Sequence, residues 1–403
     1  MSLFILEHKK LWRKLSVKLS VLLCFVYIVI FGSVLSYQWF TFGSSDDYTS
    51  AFGNNFDGYA VIKESQSYSE RFGGELTDES LQQMVREYQR LDDAGQEKEL
   101  EKTDWSIINS WLTTLWPELS NTNSYELMIG YVNPEKLTGL YERRQQAIDV
   151  FLENSGQVGA EREYLLQMEE QVKKPFAYEW TNGWSQLLGS MTADLGTVMA
   201  LFIAIVLSGL FAGEWHDNTK PLLLTTRNGW QKIGMAKVCT GFCFAIELFT
   251  LLATGTVLSQ LFFMGTAGHD MPIQNIKMLS IAPITMLQAE LYQYAFALLG
   301  SLGFAGVVML ISASVKSNVL ALIASLAAVY GPMMVVEYLP YGLQKALDLL
   351  PLVGSSTDIF RTNTFNIFGK IIWSPYLLIS VPFCIGMIAI PFALKKWAKR
   401  LRA

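Results

Sequence analysis

Six long apolar runs constrain this chain more than any other feature: residues 17–38, 185–211, 233–263, 281–312, 317–338 and 372–394. A helix needs about 20 consecutive apolar residues to cross a bilayer, and each run meets or approaches that length. Only helices and closed barrels satisfy every backbone polar group in hydrocarbon. The runs show no strict alternation of period two, so a helical bundle is the expected answer. The fold class is read as all-α integral membrane, with six transmembrane helices and one helical domain inserted between the first two.

Composition adds an asymmetry. Charged residues make up only 17% of the chain, against about 25% in ordinary soluble domains. The net charge of −5 averages two unlike parts. Residues 39–188 hold 26 acids and 12 bases, a balance of −14, whereas the remainder holds 10 acids and 19 bases, a balance of +9. Lysine and arginine collect on the loops that stay inside. With the amino terminus inside, the inner segments carry 15 bases, at residues 1–18, at 212–237, at Lys316 and in the tail 395–403. The short outer segments carry Lys277, Lys345, Arg361 and Lys370. The rule therefore predicts both termini cytoplasmic and the acidic block, 39–184, extracellular.

Residues 1–16 form a basic amphipathic stretch, with Phe4, Leu11 and Leu15 on one helical face and Trp12 beside Lys9, Lys10, Arg13, Lys14 and Lys18. Such a helix suits the inner membrane interface, although charge alone would also orient the first span. Tyr37, Trp39 and Phe40 continue that span into an aromatic belt rather than a small-residue cleavage site.

The inserted block reads as helical. Thr77 caps a helix with Asp78 and Glu79 in its first turn and Leu81, Met84, Val85, Tyr88 and Leu91 along one face. Asn133 and Pro134 open a second helix, with Leu137, Leu140, Tyr141, Ile148, Phe151 and Leu152 repeating until Gly156. A third spans Glu161 to Val172, and Trp105, Trp111 and Trp116 supply core between the first two. All four cysteines lie in apolar runs, so the block is not a disulfide scaffold. Cys239 and Cys243 share a helix face but lack His or acid companions at ligand spacing, so small core residues are the better reading and no metal is expected.

The stretch SGLFAGEWHDNTKPLLLTTRNGWQKIGMAK, Ser208 to Lys237, joins two spans on the inner side. Its order is Phe, the acid Glu214, Thr219, the apolar triplet Leu222, Leu223 and Leu224, a turn ending in Arg227, and the base Lys237 at the next span. This order resembles the cytoplasmic loop of ABC-2 type transporter permeases, where a coupling helix docks on the ATP-binding subunit. The segment PFAYEWTNGW, Pro175 to Trp184, resembles the re-entry segment of the Gram-positive group with large external domains. The chain departs from the pattern at Asn218, where the family has Gly, and at Thr225 to Trp230, which replaces a proline-containing turn. Asn tolerates the left-handed geometry that Gly supplies.

The resemblance implies a permease subunit in a bacterial plasma membrane. Its partners would be cytoplasmic ABC ATPase subunits and a second permease, identical or related, together with membrane lipid; nucleic acid is not among them. Glu214, Thr219, Leu222, Leu223, Leu224, Arg227 and Lys237 would form the ATPase-coupling loop. The chain has no G-x-x-x-x-G-K-[ST] loop, no H-E-x-x-H and no G-x-S-x-G, and it holds three histidines. It is therefore expected to bind no cofactor and not to be an enzyme, with ATP held by the partner. Glu247 and Glu290 fall within spans, where an ionisable group is costly and marks either a substrate path or an inter-helix bond. For Glu247 the inter-helix bond is the better reading. The first candidate substrate is an antimicrobial or bacteriocin-like peptide, since an acidic external domain attracts cations. Two other classes stay open: a four-span ABC permease that transmits force to its external domain, and a non-ABC sensor or scaffold whose domain binds a ligand.

Overall fold

A computed structural model describes residues 3–30, 57–96, 104–121, 127–216, 229–360 and 363–402. The chain is mostly helical. Among the described residues, five helices are long and apolar enough to cross a membrane: Asp194–Glu214, Gln231–Met264, Met286–Ser314, Asn318–Val335 and Ser374–Lys399. By length and composition this is a multi-pass membrane protein. The first expected span is seen only as Leu15–Val29, 15 residues. The aromatics Tyr37, Trp39 and Phe40 lie outside the described residues, as does Arg361.

Helices used below are α1 Leu3–Trp12, α2 Leu15–Val29, α3 Asp57–Glu70, α4 Asp78–Asp93, α5 Trp105–Leu115, α6 Leu140–Asn154, α7 Ala160–Glu169, α8 Thr192–Leu207, α9 Gly209–His216, α10 Gly229–Met264, α11 Met286–Ser314, α12 Asn318–Val335, α13 Tyr341–Asp348 and α14 Ser374–Arg402. Two small antiparallel sheets correct the all-α expectation. Strand β1 (Gly74–Leu76) pairs with β2 (Phe176–Tyr178), and β3 (Thr364–Ile367) pairs with β4 (Lys370–Trp373). The first closes the inserted domain. The second makes a hairpin of the segment between the last two spans, where Lys345 of α13 donates to the Thr364 carbonyl at 2.7 Å.

At the centre of the bundle is α11, packed on α8, α10, α12 and α14. Its contact with α14 is the closest, because Gly303 and Gly306 face it. A Cβ on Gly306 would stand 2.3 Å from the Gly386 carbonyl oxygen, and one on Gly386 would stand 2.3 Å from that of Gly303. Small residues let helix backbones touch where lipid gives no hydrophobic drive for association. By contrast α12 keeps Val319, Leu320 and Ile323 exposed, as a helix at the rim of a bundle does.

In the inserted domain, Thr77 and Ser80 form a reciprocal cap, at 3.2 and 2.8 Å, and Leu81, Met84, Val85, Tyr88 and Leu91 of α4 are all buried. The second helix departs from expectation. Pro134–Lys136 is a single 3-10 turn, and α6 begins at Leu140. Gly139 takes a left-handed φ of 73°, and the Asp78 carboxylate accepts from the Gly139 and Leu140 amides at 2.7 and 2.9 Å. The first residue of α4 thus caps α6 from outside. The third helix ends at Glu169, three residues before the expected Val172.

The largest correction concerns residues 265–285. The expected fourth span starts at 281, yet α11 starts at Met286, behind a capping box of Thr285 and Gln288. Ile281 is buried with Ile148, Leu152 and Leu165, and Met278 joins the core built on α4 and α5. These apolar residues serve the domain rather than the hydrocarbon. The Trp111 indole donates to the Asn275 carbonyl at 2.9 Å, and the Asn275 amide donates to that of Ala177 at 2.9 Å.

Candidate functional site

The second span does not stop at the expected residue 211. Its helix breaks at Ser208 and resumes as α9, which carries Glu214 on a helical turn rather than in a loop. The Ser312 hydroxyl of α11 stitches the break: it donates to the Ser208 carbonyl at 2.6 Å and accepts from the amides of Phe211 and Ala212 at 3.0 and 3.1 Å. The third span begins at Gly229, inside the expected loop 212–232. Lys237 therefore lies in its third turn.

Glu214 and Lys237, 23 residues apart, meet. The Lys237 Nζ lies 2.7 Å from Glu214 Oε1 and 2.8 Å from Glu7 Oε2, and Lys10 Nζ lies 2.7 Å from the same Glu214 oxygen. The side chains of Lys237 and Glu214 are 2% and 8% exposed. Two carboxylates and two ammonium groups thus alternate within one cluster, which ties α1 to the end of α9 and the first turns of α10. Burying charges is tolerable only when they are paired and hydrogen-bonded, and the alternation meets that condition.

A second contact pins α1 along α10. The Glu247 carboxylate takes the Trp12 indole N–H at 3.1 Å and faces His8 Nε2 at 3.2 Å, while Trp12 packs edge-on against Phe244 at 6.4 Å. Glu247, with no partner visible on its own span, is thus tied to the amino-terminal helix, and its side chain is 42% exposed. Docking of α1 on the protein corrects the face drawn for it: Leu11 is buried, but Leu15 starts α2 and is 70% exposed. Glu290 is buried in α11, where Oε1 accepts the Thr192 hydroxyl at 2.6 Å. This is an inter-helix bond between α8 and α11.

Thr219, Leu222, Leu223, Leu224 and Arg227 lie outside the described residues. Of the expected loop residues, Glu214 and Lys237 come together, and Glu247 and Glu290 stand apart from them. Sequence reasoning missed Glu7, His8 and Trp12 as partners. One signal was available, since an acid inside a basic interfacial helix has no role toward lipid phosphates.

In the inserted domain, Asp104 is buried and accepts from Ser69 Oγ at 2.7 Å, Asn182 Nδ2 at 3.1 Å and the Tyr178 hydroxyl. Burial raises its carboxyl above the usual range despite these donors, and burial beside Asp104 raises the Tyr178 phenol, so that it stays a donor. The adjoining space, about 10 Å³ between Tyr68, Met84 and Ile108, admits nothing larger than a water. The cluster is a structural tie from α3 to β2. Compared with known protein families, with curated proteins and with solved structures, the chain has no match.

Proposed function

We propose that this chain is the permease subunit of an ATP-driven transporter of the ABC-2 type, set in a bacterial plasma membrane with both termini cytoplasmic. The observation that carries the reading is the ion cluster of Glu7, Lys10, Glu214 and Lys237 at the root of the loop 217–228. A coupling helix transmits force only if the spans it joins are fixed to each other at its base. The cluster fixes them, and it adds α1 to the same block. In this reading Thr219, Leu222, Leu223, Leu224 and Arg227 dock on the ATPase, apolar side chains in a cleft and the guanidinium on an acid. ATP stays on that partner, and a second permease, identical or related, completes the pathway. The substrate proposed first is a cationic antimicrobial or bacteriocin-like peptide, met by the domain's excess of acids.

Five long apolar helices count against the four-span, force-transmitting alternative. The test is a pull-down of the solubilised protein from its native membrane, comparing wild type with a Leu223→Arg, Arg227→Glu double variant. An ATPase subunit that co-purifies with the wild type and is lost with the variant supports the reading. If none is captured even after cross-linking, the external domain becomes a sensor and the transporter reading fails.

A further inference from the structure

At the end of the bundle opposite the inserted domain, α10 and α14 run antiparallel and touch at Gly234. A Cβ there would stand 3.0 Å from Leu394 and 3.3 Å from Trp397. Beside this contact opens a cavity of about 670 Å³ lined by Gln231, Met235, Leu394, Lys395, Trp397, Ala398 and Lys399. Its floor is apolar: the Trp397 indole is fully buried against Phe211, with ring centroids 5.3 Å apart, and Met235 is 49% exposed. Its rim is cationic, with Lys395 and Lys399 one turn apart on α14. Among the described residues neither lysine has an ion-pair partner.

The depth of the rim follows from the helix. From Ser374 to Leu394 α14 carries no charge, and at 1.5 Å per residue that stretch is about 31 Å long, close to the roughly 30 Å of a hydrocarbon core. Lys395 therefore stands at headgroup level, with Lys399 one turn beyond it and Met235 and Leu394 at the height of the first acyl carbons. Basic pockets between helix ends on the side of an anionic leaflet bind phospholipid headgroups.

We propose that this cavity is a binding site for one anionic phospholipid, whose phosphate bridges Lys395 and Lys399 while an acyl chain covers Met235 and Leu394. The site rests on the membrane reading alone and not on the ATPase partner or the direction of transport, so the pull-down can fail while the site stands. Lys396, exposed on the same helix end but outside the cavity, separates a built site from a general attraction of basic side chains to the membrane.

The test uses the full chain in detergent, with thermal unfolding followed against added phosphatidylglycerol, phosphatidylcholine of the same chains, or inorganic phosphate. Native mass spectrometry counts retained lipids. Phosphatidylglycerol should raise the unfolding temperature and persist as a single adduct, and phosphatidylcholine should do neither. Lys395→Gln with Lys399→Gln should weaken the phosphatidylglycerol effect about tenfold or more, and Lys396→Gln should leave it within about twofold. Should the double variant not fold, Met235→Glu, which puts an acid on the apolar floor that the acyl chain covers, must reproduce its loss. Equal effects of Lys396→Gln and the double variant, full stabilisation by inorganic phosphate, or no preference for phosphatidylglycerol would each overturn the proposal.

Discussion

Lys237 holds an ammonium group between Glu7 and Glu214 with only 2% of its side chain exposed. Removing it takes away the ammonium group that Glu7 and Glu214 share, and breaking a buried pair from one side costs about 3–5 kcal/mol. Lys237→Met should therefore lower the unfolding temperature of the solubilised protein far more than Lys10→Met, whose side chain is 46% exposed. Equal losses would mean that the cluster behaves as a surface pair. Asp104 makes the opposite case. Its carboxyl is raised because burial penalises the charged form, so its folded value lies above its unfolded one. The contribution is favourable at low pH and is lost as pH rises through the folded value. Asp104→Asn keeps a neutral amide among Ser69, Tyr178 and Asn182. Its stability relative to wild type should improve as pH rises from about 4, the ordinary carboxylate value, to neutrality, read from unfolding curves at both ends. A wild-type advantage that grows with pH would show that the carboxylate is the form the site prefers.

At the scale of elements, the α11–α14 contact depends on the absence of side chains. A methyl group on Gly386 would overlap the Gly303 backbone, and backbone, unlike a flexible side chain, cannot swing aside. Gly386→Ala should cost about 1–3 kcal/mol, whereas Gly331→Ala in α12, where nothing lies within 4 Å, should be neutral or stabilising. Thermal unfolding of the two variants side by side checks this. Features of this kind differ in how far the sequence discloses them. The cap at Thr77 and the buried face of α4 are local, and a few residues determine both. The start of α6 is not, since Asp78 supplies the caps from 61 and 62 residues away. The partners of Glu247 are 235 and 239 positions distant in sequence, so no periodicity could name them. Arg144 is opaque in the sequence for a related reason. It falls in register with Leu140, Ile148 and Leu152 on the buried face of α6, and a charged residue there is meaningful only once its partners are in place. Residues 281–285 are ambiguous for the reverse reason, because an apolar run looks the same whether a bilayer or a domain core covers it.

Over the whole molecule, Arg144 decides whether the inserted domain and the spans move as one body. Its guanidinium is fully buried. Nε donates to the Met278 carbonyl at 2.7 Å, Nη2 to that of Ser280 at 2.8 Å, and both terminal nitrogens grip Glu169 of α7, with Nη2–Oε2 at 3.0 Å. Phe176 of β2 lies under the guanidinium at 5.0 Å. One side chain thus holds α6, α7, β2 and the segment that leads from α10 into α11. Any tilt of those two spans would be carried into the domain, and any load on the domain would reach the spans. Arg144→Met should free that joint, because among the described residues Glu169 would keep only Lys174, at 2.8 Å, and the Met278 carbonyl would lose its donor. The expected loss is about 3–5 kcal/mol. Hydrogen exchange should rise together in residues 273–285 and in α7, while α4, capped by Thr77 and Ser80 and packed on α5, keeps more of its protection. A double Arg144→Met, Glu169→Leu change should recover part of the stability by removing the stranded carboxylate, but not all of it, since the Met278 carbonyl still lacks a donor. If exchange rose in α4 as strongly as in 273–285, Arg144 would be a core residue of the domain and not the joint between domain and membrane bundle.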